Sequence, residues 1–387
     1  MVLVRPEVEA SRTHLQRAAE WVTEAWSAPY EQSSCSPMRR LLPLLGFTTR
    51  IYLEGLRRDQ ARAALKRRRL PAFVVSVGNI VAGGTGKTPF VIWMARFLAD
   101  EPPCGVAILS RGYGSRMGRN AVEQVPKEGD IAELASRFGD EPALMARRLP
   151  EAAVWVGRDR FLSGTAAMES SGAKILLLDD GFQHLQLYRD LDIVLLDAER
   201  PYGNGELLPL GPLREPPGSL ARADALVLTR AEDPGAAHAT RSLLEARFPG
   251  KPVFACSHRL KCFTIGLGGP EAPLDMLRGV PVAAFAGIAR PSGFFNALRE
   301  SGLTLSSVLS FPDHHPYREE DIHRISDQAS RSGARLLITT EKDMVRLPEP
   351  VRSATLAAVL DLDFGRDRQA IEGFRRDRIP RQSRTPL

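Results

Sequence analysis

Three groups of residues could do chemistry, and the first is the loop from Ser76 to Pro89, S-V-G-N-I-V-A-G-G-T-G-K-T-P. It joins an apolar run, Phe73 to Val77, to a helical pattern that begins near Phe90. Gly83, Gly84 and Gly86 can take backbone angles closed to other residues and let amides approach a phosphate. The helix start after Lys87 adds free N–H groups and the positive end of a dipole. Such a loop holds a polyphosphate with Gly83, Gly84, Thr85, Gly86, Lys87 and Thr88 around it. Lys87 would reach the β- and γ-phosphates and the Thr88 hydroxyl would sit on Mg²⁺. Val81 stands where the G-x-x-x-x-G-K-[ST] pattern has glycine, so the match rests on G-G-T-G-K-T and its strand-to-helix setting.

The second group is Asp179-Asp180, which follows the apolar run Ile175 to Leu178. An adjacent pair of acids could be a turn or a helix cap. At the end of a buried strand it reads instead as a metal site beside the phosphate loop, Asp180 first. The third group is scattered. Asp140, in G-D-E-P, reads on its own as an N-cap for the helix after Pro142. His314 and His315 lack other spaced Cys or His ligands and read as polar loop residues.

The elements that must position these groups are strands alternating with helices. Apolar runs at 73–77, 106–109, 153–156, 174–180, 193–197 and 225–230 read as buried strands, with helices at 91–98, 131–149, 161–170 and 231–250. That alternation predicts an α/β fold: a doubly wound, mostly parallel sheet of the P-loop NTPase kind. A second, smaller α/β unit follows, with strands at 280–286, 335–340 and 355–360 and helices at 292–301 and 319–332. Between 202 and 217 the chain is too rich in Gly and Pro for regular structure, and a loop this long is usually functional. The expected division is an N-terminal extension at 1–36, an amphipathic basic segment at 37–70, a P-loop domain at 71–240, a second α/β domain at 241–365 and a disordered basic tail at 366–387.

A chain of 387 residues can bury a large core. Its net charge of +6 implies an acidic partner without saying which. Cys35, Cys104, Cys256 and Cys262 form no C-x-x-C pair, so a reducing cytoplasm is expected and a zinc site is not. No signal-peptide pattern and no spanning apolar run is present, so the chain is not expected to cross a membrane. One segment suits a membrane surface. Leu41, Leu42, Leu44, Leu45, Phe47, Ile51, Tyr52, Leu53 and Leu56 make an apolar patch flanked by Arg39, Arg40 and Arg50 and by Arg57, Arg58, Arg62, Lys66, Arg67, Arg68 and Arg69. That combination fits a helix lying on anionic lipid; the alternative is a docked helix with a solvated basic face.

The motifs G-N-x-x-x-G-G-T-G-K-T-P, S-R-G-Y-G, G-D-E-P, L-D-D-G-F-Q-H, G-N-G-x-x-L-P-x-G-P-L-R-E-P, F-x-D-H and T-T-E-K-D occur in this order between about residues 40 and 361. The set resembles the tetraacyldisaccharide 4′-kinase family, the lipid A kinases, whose loop also lacks glycine at the Val81 position. The resemblance implies transfer of the γ-phosphoryl group of ATP, with Mg²⁺, to the 4′-hydroxyl of a tetraacylated glucosamine disaccharide 1-phosphate. It implies a peripheral enzyme at an anionic membrane surface, on the cytoplasmic face of the Gram-negative inner membrane, with no nucleic-acid or protein partner. Carried over residue by residue, it makes Asp140 the base and His314 its partner, which demotes the cap reading. Lys87, Arg160 and Arg214 become the cations that meet phosphate charge, with Arg158 competing for the role of Arg160. Glu141, Gln183 and His184 line the metal and acceptor side, and T-T-E-K-D has no assigned role.

Two other classes fit less well. A GTPase-like switch needs an N-K-x-D element where Thr229-Arg-Ala-Glu232 stands, and a partitioning-type ATPase needs Lys where Ala82 precedes the glycine pair.

Overall fold

The computed structural model describes residues 38–99 and 105–379; the extension at 1–36 lies outside the described residues. Helix α1 (Met38–Leu65) leads into the first sheet. Its strands are β1 (Phe73–Gly78), β2 (Val106–Ser110), β3 (Val122–Gln124), β4 (Ala153–Gly157), β5 (Ile175–Asp179), β6 (Leu191–Asp197), β7 (Ala225–Thr229) and β8 (Val253–Ala255). They lie in the order β3-β4-β2-β5-β1-β6-β7-β8, and every pairing is parallel except that of β3 with β4. The crossover helices are α2 (Lys87–Ala99), α3 (Ile131–Phe138), α4 (Asp140–Arg148), α5 (Arg160–Ser171) and α6 (Pro234–Arg247). With helices on both faces, β2, β5, β6 and β7 are buried at every position, which is why they read as unbroken apolar runs. The strand order reverses about β1, and β1, β5, β6 and β7 end at Gly78, Asp179, Asp197 and Thr229. That puts a crevice at their carboxyl ends, where this architecture binds ligands.

The second sheet holds β9 (Ser257–Ile265), β10 (Glu271–Ala272), β11 (Pro281–Ala286), β12 (Thr304–Ser310), β13 (Leu336–Thr340) and β14 (Thr355–Asp363), in the order β10-β9-β14-β13-β11-β12. Its helices are α7 (Pro291–Glu300), α8 (Glu319–Arg331) and the single turn α9 (Glu341–Met344). The α/β expectation therefore holds for both halves.

Several boundaries differ from the sequence reading. The first sheet does not stop at residue 240, because α6 is a crossover that returns the chain to pair β8 in parallel with β7. The helix expected over 131–149 is two helices broken at Gly139, which takes φ of 100°. A Cβ there would come within 2.7 Å of the Tyr113 carbonyl, so the break needs glycine. The tail is not all disordered. Helix α10 (Arg368–Arg378) packs back on the first sheet with Ile371 buried and the Phe374 ring 5.5 Å from Phe254. Residues 380–387 lie outside the described residues.

Helix α1 is bolted down along its C-terminal half. The Tyr52 hydroxyl donates to the Arg214 carbonyl at 2.7 Å, and Gln60 Nε2 donates to the buried Glu215 carboxylate at 2.8 Å. Phe47 and Ile51 remain exposed. Among the described residues no helix is long and apolar enough to cross a membrane.

The two sheets are joined by apolar packing, as where Phe364 meets the rings of Phe90 and Trp93, and by charge. Arg148, the last residue of α4, pairs with Glu341, the first of α9, and both side chains are only 11% exposed. Burial pushes the Glu341 carboxyl up, and Arg148 pulls it back only in part. Removing Arg148 strands a buried charge, so Arg148→Met should lose about 3–5 kcal/mol of stability. A raised carboxyl pKa means that the folded state binds the proton more readily than the unfolded one. The deficit should therefore shrink as pH falls through the folded pKa of Glu341 and be largest at neutral pH. Thermal unfolding of Arg148→Met across this pH range checks it, and adding Glu341→Leu should restore most of the loss.

Candidate active site

The crevice opens into a cleft of about 1760 Å³ whose walls come from both sheets. The phosphate loop forms its floor. Asn79, buried just after β1, donates from Nδ2 to the Val81 carbonyl at 2.7 Å and to Thr85 Oγ1 at 2.9 Å, and Thr229 Oγ1 donates to the Thr85 carbonyl at 2.9 Å. Gly83 and Gly86 have φ of 109° and 76°, as expected. At Gly86 a Cβ would lie 3.0 Å from the His258 ring. That neighbour belongs to β9 and is neutral, since burial lowers its pKa to about 4. Thr85 through Thr88 line the cleft, and Lys87 opens α2.

Asp180 follows β5 with φ of 52°, a left-handed conformation that a non-glycine residue rarely adopts. This turns its carboxylate between two cations: Oδ1 is 3.7 Å from Lys87 Nζ and Oδ2 accepts from Arg214 at 2.8 Å. Burial opposes its ionisation, but Lys87 and Arg214 outweigh that and hold the carboxyl below its usual range. Asp179 lies deeper and accepts from the Ser110 hydroxyl at 2.9 Å. Burial, helped by the charges of Glu141 and Asp180, pushes Asp179 up. Asp180 Oδ1 is buried and has no hydrogen-bond donor. No group of three or more His, Cys, Asp or Glu side chains gathers for a metal among the described residues, but this free oxygen is one donor that a hard divalent cation would take, relieving the repulsion among the acids.

The opposite wall joins residues far apart in sequence. Asp140 is the first residue of α4, and the N-cap is Gly139, so Asp140 is not the cap that its motif alone suggests. Its Oδ2 lies 3.1 Å from His314 Nδ1, in the loop after β12, and 3.4 Å from Arg346 Nε. His314, like Asp180, is left-handed, at φ of 57°. Its backbone N–H donates to the Gly287 carbonyl at 3.2 Å. His315 turns away, with Nε2 2.9 Å from Asp321.

Of the remaining sequence-derived candidates, Arg160 is buried at the start of α5 and lines the cleft, with Nε unpartnered. Burial lowers its pKa to about 10, so it stays a cation at neutral pH. Arg158, also on the cleft, is exposed. Arg214 is committed to Asp180. Glu141 faces Lys342 at 3.5 Å. Gln183 does not present its amide nitrogen to a metal; that atom donates to the Asn79 carbonyl at 2.8 Å and to Glu215 at 2.9 Å, tying the loop to the segment after 210. His184 lines the cleft as a neutral ring, because burial lowers its pKa to about 4.

Sequence reasoning left several site residues without a role. Asn79 carries a signal, an asparagine directly after a buried strand, whereas Lys342 and Arg346 are brought to Asp140 only by the tertiary fold. Arg230, left-handed at φ of 55°, and Arg290 both pair with the buried Asp197 at 2.8 Å, which ties the ends of β6 and β7 to the segment before α7.

A family model described as tetraacyldisaccharide-1-P 4′-kinase matches residues 38–376. The chain is 46% identical over 360 residues to a tetraacyldisaccharide 4′-kinase of Syntrophobacter fumaroxidans, covering 93% of each chain. It is 40% identical over 352 residues to one of Syntrophus aciditrophicus, covering 88% of this chain and 92% of the relative. Among solved structures it resembles LpxK from Aquifex aeolicus in complex with ATP, with a TM-score of 0.67 and 32% identity over 88% of this chain and 99% of that one.

Asn79→Ala should loosen the phosphate loop by removing both amide bonds. Losing buried hydrogen bonds of this kind costs about 1–3 kcal/mol. The KM for ATP should rise about tenfold or more, and the melting temperature should fall by several degrees. Initial rates against ATP concentration measure it.

Proposed function

The chain belongs to the tetraacyldisaccharide-1-P 4′-kinase family, and from that premise we propose how its residues share the reaction. It is an ATP-dependent kinase that phosphorylates the 4′-hydroxyl of a tetraacyldisaccharide 1-phosphate in lipid A biosynthesis. The hydroxyl oxygen forms a bond to the γ-phosphorus, the bond to the β,γ-bridging oxygen breaks, and ADP leaves. Such transfers need charge neutralisation and in-line positioning more than covalent help. Lys87, at the floor, meets the β- and γ-phosphates. Arg160, a buried cation on the cleft wall, meets charge on the transferred group or the acceptor. Arg214 works through Asp180, whose carboxylate it orients.

Thr88 and Asp180, backed by Asp179, would hold Mg²⁺, which when bound neutralises phosphate charge. The orphaned Oδ1 of Asp180 supports that assignment. Gln183 would offer the ion its Oε1, since its Nε2 donates to the Asn79 carbonyl and Glu215.

Asp140 takes the proton of the attacking hydroxyl. The observation that carries this reading is the 3.1 Å contact between Asp140 Oδ2 and His314 Nδ1, made on the cleft wall by residues from the two halves of the chain. A carboxylate alone is a weak base. A ring N–H on one oxygen orients the other and steadies the charge, and general-base help of this kind contributes about 10²- to 10⁴-fold.

Helix α1 is the segment that meets an anionic membrane surface, which would seat the enzyme peripherally on the cytoplasmic face of the inner membrane. Exposed Phe47 and Ile51, with exposed Arg50 and Arg57 beside them, support this. Arg67 and Arg68 serve the fold as well, since Arg67 donates to the Leu185 carbonyl and Arg68 pairs with Asp159.

Asp140→Asn and His314→Ala should each lower kcat by about 10²- to 10⁴-fold with ATP affinity within a few-fold, and the double variant should be scarcely worse than the poorer single one. Steady-state rates at saturating lipid and ATP test this; losses that multiply would show independent action. For the membrane, reversing Arg50 and Arg57 to Glu should weaken sedimentation with anionic vesicles by about tenfold or more without changing turnover of substrate in detergent micelles. Unchanged sedimentation would remove the helix from that role.

A further inference from the structure

The T-T-E-K-D segment, residues 339–343, lies at the edge of the site with Lys342 directed into it. Lys342 Nζ is 3.1 Å from His314 Nε2, 3.4 Å from Asp313 Oδ1 and 3.5 Å from Glu141 Oε1. An ammonium group has three donors and no acceptor. A ring nitrogen at that distance must therefore present its lone pair, so Nε2 carries no proton. The proton of the neutral ring is then on Nδ1, the nitrogen that faces Asp140 Oδ2 at 3.1 Å. Which imidazole nitrogen is protonated is set by the bond the other one makes, and here the partner of Nε2 permits a single answer.

The geometry assigns to Lys342 the role of a positioning residue that fixes His314 as its Nδ1–H tautomer, so that the ring donates to Asp140 and cannot compete with it for the hydroxyl proton. This rests on the reading of Asp140 and His314 given above. It makes the two members of the pair unequal. Asp140 alone receives the proton, while His314, with Lys342 at its far nitrogen, holds the carboxylate in place.

The rest of the segment is built to keep Lys342 there. Thr340 caps α9, with its hydroxyl accepting from the Asp343 N–H at 3.1 Å. Asp343 is wholly buried and accepts from the Gly287 N–H at 3.0 Å, the Tyr317 hydroxyl at 2.8 Å and Arg346 at 2.9 Å. Arg346 in turn donates to the carbonyls of His315 at 3.0 Å and Gly287 at 3.2 Å. The carbonyl of Gly287 also accepts the His314 N–H, so one carboxylate fixes the loop that carries the histidine and the turn that carries the lysine. Glu341 anchors the same turn to the other half of the molecule through Arg148. Because Lys342 also reaches Glu141, on α4, it bridges the two walls of the site.

The test uses full-length protein with ¹⁵N-labelled histidine, in which His314 is identified by its loss in His314→Ala and its tautomer is read from long-range ¹H–¹⁵N correlations. The wild type should give the Nδ1–H pattern. Lys342→Met, close in length and without a donor, should give an Nε2–H or mixed pattern, with kcat about 10- to 100-fold lower, the scale of losing a group that orients a functional histidine. ATP affinity and melting temperature should change little. Lys342→Arg, also a donor with no acceptor, should keep the Nδ1–H pattern and most of kcat. An Nε2–H pattern in the wild type, an unchanged pattern in Lys342→Met, or a changed pattern with normal kcat would each overturn the assignment. Near-normal kcat in both Asp140→Asn and His314→Ala would instead remove the pair on which it depends, whatever pattern the spectra show.

Discussion

The site depends on charge contacts that cross from one sheet to the other. Asp140 and His314 are 174 positions apart, on halves of the chain that, among the described residues, have no backbone ladder in common. Arg148 with Glu341, and Asp130 with Arg352 at 2.8 Å, hold these halves in register, and Asp197 accepts one arginine from each. Of these pairs Arg148–Glu341 is buried on both sides while Asp130 is exposed, and a buried pair adds little net stability compared with apolar packing, since desolvation offsets most of the attraction. What they supply is a defined relative placement. An apolar patch can slide, whereas a buried carboxylate displaced from its guanidinium leaves both charges exposed to a strong penalty.

Among the described residues, three that are not glycine take positive φ, and all three stand at the cleft: Asp180, Arg230 and His314. Each such conformation costs roughly 1–3 kcal/mol and persists only where the surroundings over-determine it. The surroundings here are plain. Asp180 is held between Lys87 and Arg214, Arg230 by Asp197, and His314 by the carbonyl of Gly287. In each case the turn aims a charged or hydrogen-bonding side chain across the crevice where a relaxed residue would continue past it.

What was legible in the sequence was the local chemistry. The parallel strands are buried on both faces and so leave long apolar runs, and the phosphate loop is defined by residues within one short stretch. β9 was not legible because only Cys262, Phe263 and Thr264 of its nine residues are buried, and its Ser, His, Arg and Lys positions break any apolar run. β12 was missed for the same reason, with Leu309 its one buried residue. The break at Gly139 was hidden because the apolar spacing continues across it, and α10 was hidden by its arginines, which mask the Ile371 and Phe374 contacts. At the site, Asp140 in isolation is an ordinary helix-start residue. Its pairing with His314 came from family resemblance, and the approach of Lys342 and Arg346 to that pair is a product of tertiary structure, which one-dimensional spacing does not encode.

Helix α1 has a mechanical consequence. Its 28 residues make a rod about 42 Å long. Its C-terminal half is pinned at Tyr52 and Gln60, against the adjacent residues Arg214 and Glu215. The carbonyl of Arg214 takes the hydroxyl of Tyr52, while the guanidinium of the same residue carries Asp180. The N-terminal end of the rod is therefore a lever with its fulcrum beside Arg214, the residue that carries Asp180. A load on Phe47 or Ile51 bears on the Tyr52 and Gln60 anchors, so the attitude of the helix and the setting of the carboxylate beside Lys87 share one support.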